Sequence, residues 1–77
     1  MTTAVTIYQQ EMFGQEHWRA VRNDGVLLFR RHQTDFPSES EAIAAVEGDF
    51  RRRRESVIIR VQYLHADKPK TVSICSN

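Results

Sequence analysis

The densest chemistry in this sequence is cationic. Arg51, Arg52, Arg53 and Arg54 are consecutive, and Arg19, Arg22, Arg30 and Arg31 form a second group upstream, with Trp18, His17 and His32 among them. A guanidinium presents a planar fork of donors that matches phosphate and carboxylate oxygens. Basic side chains interleaved with an aromatic ring suit phosphate contact combined with base stacking. Trp18 and these eight arginines are therefore the candidate anion- or nucleic-acid-binding set. Each also has a structural use. Trp18 can belong to the core while the strand arginines alternate outward as solubilising groups. The 51–54 run falls at an expected helix C-terminus, where a cation gains roughly 0.3–1 kcal/mol from the helix dipole at low salt. Four successive helical positions point around most of the circumference. Part of the run must then pair with Glu47, Asp49 or Glu55, or project into solvent.

Other chemistries lack the necessary spacing. His17, His32, His65 and Cys75 are scattered, with no Cys-x-x-Cys or His-x-x-x-His pair, so no metal site is expected. The single cysteine excludes an internal disulfide framework. There is no Gly-x-Ser-x-Gly elbow, and the three glycines are too dispersed for a phosphate loop. Glu39 and Glu41 are close enough to be paired carboxylates, but acids at a helix start satisfy caps and the dipole. No catalytic residue and no cofactor is assigned, and the expectation is a protein that is not an enzyme.

Positioning these groups falls to one small domain spanning residues 1–77, which at this size buries only about 60% of its unfolded surface. Charged residues at 27% and apolar residues at 40% fit a folded globular chain. Net charge is +1, and the pI near 8.0 falls below the values above 9 common in basic nucleic-acid-binding domains. Any such function must rest on how charge is distributed. The N-terminus shows no basic-then-apolar leader, and the longest apolar runs, Val26 to Phe29 and Ala42 to Val46, are far short of the roughly 20 residues that span a bilayer. A soluble, cytoplasmic location without membrane contact is expected.

Alternation of Val5 and Ile7 with Thr6 and Tyr8 predicts a strand over 4–10, and Gly14 a turn. A second strand over 17–22 puts Trp18 and Ala20 on one face and Arg19 and Val21 on the other. Asn23-Asp24-Gly25 is a hairpin signal, leading to a third strand over 26–33. Ser38 and Glu41 form a capping box for a helix over 39–53, with Ser40 as a rival cap. Ile43, Val46 and Phe50 form its apolar stripe, with Ala42 beside it. Gly48 either permits close packing on the sheet or ends the helix early. Val57, Ile59, Val61 and Tyr63 predict a strand over 56–64, followed by a last strand over 71–75 with Val72 and Ile74 on one face. The fold expected is α+β, β-β-β-α-β-β, an antiparallel sheet of four to five strands with one helix packed on one face.

Trp18-Arg19, Asp24-Gly25 and the run from Phe36-Pro37-Ser38 to Ala45 resemble small bacterial three-strand-plus-helix domains of the YegP type. More distantly they resemble the family of the cell-division activator CedA. The likeness covers about residues 17 to 46 and rests on turn and cap residues; the 56–75 segment departs from both patterns. It implies a related fold and, through the CedA family, an association with DNA binding, and it transfers no functional residue.

The leading expectation is a non-enzymatic binding or adaptor domain, able to form a homodimer through a strand edge or an open sheet face. A nucleic-acid-binding module using the arginines is the alternative, with an acidic protein surface as the other anionic partner. An enzyme or enzyme subunit ranks last.

Overall fold

The computed structural model describes residues 2–24 and 35–76. The strand expected over 26–33, with Arg30, Arg31 and His32, lies outside the described residues, as does Gly25 of the expected turn. In chain order the elements are β1 (Thr2–Met12), β2 (Gln15–Arg22), β3 (Asp35–Phe36), α1 (Glu39–Arg52), β4 (Ser56–Gln62) and β5 (Lys70–Cys75). The five strands form one sheet in the order β3-β2-β1-β4-β5, and α1 packs on one face. Among the described residues the observed architecture is therefore the expected α+β class, with one helix covering one sheet face.

One part of the expectation is corrected. The β1–β2, β2–β3 and β4–β5 pairs are antiparallel, but β1 and β4 are parallel, in register from Thr2↔Ser56 to Tyr8↔Gln62, so the sheet is mixed. Short links dictate antiparallel pairing only between successive strands. From β1 to β4 the chain passes through β2, β3 and α1, a connection long enough to return it to the starting end of β1.

Side-chain alternation selects the core. Val5 and Ile7 of β1, Trp18 and Ala20 of β2, and Val57, Ile59 and Val61 of β4 are buried under Ala42, Val46 and Phe50 of α1. The buried helical line is thus Ala42, Val46 and Phe50, at i, i+4 and i+8, while Ile43 sits half-buried on its flank. The small Ala42 faces the sheet and Ile43 closes the side. In β5 the register slips between Ile59 and Arg60, whose partners are Ser73 and Thr71, leaving Val72 as the extra residue of a bulge. Val72 and Ile74 therefore do not share a face. Val72 packs against the core, whereas Ile74 is 66% exposed opposite Ile58.

The helix ends are closed by local hydrogen bonds. Ser38 is the N-cap, its Oγ accepting the Glu41 N–H at 3.2 Å and donating to Glu41 Oε2 at 3.2 Å. Glu41 thus returns to the cap hydroxyl rather than to the cap N–H. At the other end Arg53 is the C-cap, and Arg54 has left-handed backbone at φ 55°. The Arg54 N–H donates to Arg51 O at 3.1 Å and the Glu55 N–H to Phe50 O at 2.9 Å, which satisfies carbonyls the helix leaves open. Glycine is the usual residue at such a cap; a side chain there carries a penalty on the order of 1–2 kcal/mol.

A second left-handed residue closes the β1–β2 hairpin. Phe13 at φ 54° and Gly14 at φ 76° link the paired residues Met12 and Gln15 in a two-residue turn of the primed type.

Gly48 neither ends the helix nor seats it closely on the sheet, because a Cβ built there meets nothing within 4 Å. Gly48→Ala should raise unfolding stability by about 0.5–1 kcal/mol. Urea denaturation checks this, and a loss of stability would show that the site is sterically closed.

Candidate binding surface

The described arginines do not gather on one surface. Arg19 points away from α1, between the inward Trp18 and Ala20, and its Nε donates to Asp35 Oδ1 at 3.0 Å. That hydrogen bond, then the Asp35 charge, pushes the Arg19 pKa above its ordinary value. Arg22 opposes the buried Val5, which places it on the helix side, and its Nη2 donates to Asp24 Oδ2 at 2.8 Å. Arg53 pairs with Asp49 at 2.8 Å and Glu55 at 3.4 Å, and its guanidinium lies 4.6 Å from the centroid of the Phe50 ring. Arg52 is exposed and reaches Asp49 at 3.4 Å. Arg51 and Arg54 make no ion pair among the described residues. Arg22 and the run share one end of the molecule, because Val5 opposes Arg22 and Thr2 opposes Ser56. Exposed pairs of this kind contribute roughly 0–1 kcal/mol each, so they orient side chains more than they stabilise the fold.

Trp18 is 5% exposed and packs edge-on against Tyr63 with ring centroids 6.1 Å apart. It belongs to the core rather than to a surface stacking platform. Its position between two outward residues of β2 left both uses open until the helix-covered face was known.

The remaining reactive groups are tied to one another. Cys75 Sγ and Ser73 Oγ both donate to Glu47 Oε2, each at 3.1 Å. The hydrogen bond to Glu47 and then burial push the Cys75 thiol up, against weaker opposing effects of Ser73 and Arg51. A raised pKa keeps the sulfur protonated, the opposite of an activated nucleophile. Tyr63 Oη donates to Glu39 Oε1 at 2.7 Å, which with burial and the Glu39 charge raises the phenol pKa. Glu39 and Glu41 thus have separate structural partners. Among the described residues no three His, Cys, Asp or Glu side chains are grouped to hold a metal ion.

The sequence pointed to an open sheet face, the one opposite α1, but not to the residues that meet on it. A shallow depression of about 530 Å³ lies there, lined by Thr6, Tyr8, Val21, Arg22, Asn23, Arg60 and Pro69. Thr6 opposes Val21 on one side and Arg60 on the other, so the three line up across β2, β1 and β4. The buried Thr6 hydroxyl donates to Asn23 Oδ1 at 3.0 Å and forms a fixed floor. Tyr8 and Val21 are 40% and 39% exposed, and Arg60 is exposed with no ion pair among the described residues. The outward phase of Arg60 was readable in the alternation of β4. Its placement beside Tyr8 and Val21 required the parallel β1–β4 pairing.

No protein-family model, curated protein or solved structure matches this chain. No helix among the described residues is long and apolar enough to cross a membrane.

Because the Glu47 carboxylate is the main cause of the raised Cys75 pKa, Glu47→Gln should lower it and increase the thiolate fraction. Alkylation by iodoacetamide at mildly alkaline pH should accelerate in the variant. An unchanged rate would mean that Glu47 does not control the thiol.

Proposed function

We propose that this chain is a non-enzymatic binding domain that takes a protein partner on the sheet face opposite α1. The observation supporting this is the row formed by exposed Tyr8, Val21 and Arg60 around the open depression. Tyrosine and arginine are enriched at protein interfaces because each combines apolar area with a polar end. Tyr8 and Val21 supply apolar contact, and the Arg60 guanidinium meets a carboxylate. The partner chemistry is therefore a partly apolar protein segment carrying an acidic side chain. The same face offers a surface for homodimer formation, with Ile74 extending it towards β5.

Proteins captured by the wild-type chain should be identified and the binary complex rebuilt from purified components. Tyr8→Asp combined with Arg60→Glu should weaken that complex by at least about tenfold, equivalent to 1.4 kcal/mol. Undiminished affinity in the double variant would remove this face from the function.

A second reading, nucleic-acid binding through Arg51, Arg52 and Arg54, has its own support. Arg54 holds a left-handed cap position that glycine fills without strain, yet it makes no ion pair among the described residues. The resemblance over residues 17 to 46 to a family associated with DNA points the same way. Burial of Trp18 counts against base stacking in this mode. Titration with generic DNA and RNA at several salt concentrations decides it: log affinity should fall linearly with log salt, less steeply after the three arginines are replaced by Gln. Absence of binding at low salt would eliminate this reading.

A further inference from the structure

Apart from the sheet face, the two ends of the molecule carry complementary features. At the end of β1, Phe13 is fully exposed at 100% and held at φ 54°, a turn position where asparagine or glycine is the usual residue. Its neighbour Met12 is also exposed. The arm that presents them is braced. Pairing continues to Met12↔Gln15, Gln9 Nε2 donates to Glu16 Oε1 at 2.9 Å, and Gln9 Oε1 accepts the Leu64 N–H at 2.9 Å. Immediately behind the tip, Glu11 and Glu16 are directly opposed across the hairpin. Like charges so placed repel, and an incoming cation relieves that repulsion.

At the other end of the sheet, a cleft of about 220 Å³ is formed by Thr2, Thr3, Ala4, Arg22, Asn23 and Asp24. It is smaller than the roughly 300–1,000 Å³ of small-molecule sites, and its threonine methyls, Ala4 and the Arg22 stem give it an apolar lining suited to a side chain. Ser56 opposes Thr2, so Arg54 lies two residues from the strand position beside this cleft. Arg51 and Arg54, which make no ion pair among the described residues, supply positive charge at this end. The molecule thus has an apolar tip backed by carboxylates and an apolar-lined cleft near two arginines that make no ion pair among the described residues.

We infer that the Phe13 tip seats in the Thr2–Ala4/Arg22–Asp24 cleft of a second copy, with Glu11 and Glu16 meeting its Arg51 and Arg54. The two features cannot meet within one molecule, because ten residue steps of β1 separate them by about 33 Å. The contact is heterologous: one copy's tip enters the next copy's cleft, which generates a head-to-tail series or a ring rather than a two-fold dimer. The cleft and the sheet-face depression share Arg22 and Asn23, but the tip and the charges proposed here, Phe13, Glu11, Glu16, Arg51 and Arg54, are not those of the sheet-face reading, Tyr8, Val21 and Arg60.

Sedimentation over a wide protein concentration range at low and high salt tests it. The average mass should rise past that of a dimer as concentration increases and fall back in high salt. Phe13→Asn suits the left-handed turn, so this variant should fold at least as stably while its self-association weakens by about tenfold or more. Glu11→Arg with Glu16→Arg should abolish assembly, and Arg51→Glu with Arg54→Glu in the same chain should restore it. A wild-type chain that stays monomeric throughout overturns the inference. So does assembly undiminished by Phe13→Asn, or a mass that stops at a dimer and is lost in Tyr8→Asp/Arg60→Glu instead. Phe13-dependent flotation with phosphatidylcholine vesicles, without self-association, would assign the tip to a lipid surface and equally overturn it.

Discussion

β1 and β4 can lie side by side and parallel only if the intervening chain returns to the end of the sheet where β1 began. α1 is the element that returns it. The placement of the core, of the arginine run and of the open face follows from that crossover. The helix must lie across one face, so Val5, Ile7, Ala20, Val57, Ile59 and Val61 close against Ala42, Val46 and Phe50. Its C-terminus must arrive beside the start of β1, which brings the arginine run to the same end as Arg22. A single helix cannot cover both faces, so the row of Tyr8, Val21 and Arg60 remains exposed.

Charge is organised around the same helix. Glu39 and Glu41 stand at its start and Arg51 and Arg52 in its last turn, the arrangement its dipole favours. Local electrostatics account well for Arg53, which is held by Asp49, Glu55 and the Phe50 ring. They account less well for Arg54, whose left-handed backbone would suit glycine better. Phe13 is the other described non-glycine residue with positive φ, and it too is exposed, at the opposite end of β1.

Much of the fold was legible because its signals are local. The Ser38 cap, the Gly14 turn, the shared face of Trp18 and Ala20 and the alternation of β4 each arise from a few neighbouring residues. The parallel β1–β4 pair was not legible, because no short-range pattern records which strand a crossover will meet. The bulge at Val72 was missed for a related reason: two residues share one partner position only once β4 is alongside. Among candidate site residues, the arginines were conspicuous by composition. Tyr8 and Arg60 were not, since each resembles an ordinary outward strand residue until its neighbours across the sheet are known.

By itself, the sequence determined the element types, the polarity of the helix and the scarcity of groups spaced for metal or nucleophilic chemistry. Those properties depend on side-chain period, caps and composition, which are carried by contiguous residues. Only the tertiary structure decided that Trp18 is core, that Cys75 is bound into Glu47, and that Arg19 and the 51–54 run occupy different surfaces. Those outcomes depend on which face of each strand the helix covers and on which strands become neighbours, and long-range packing sets both.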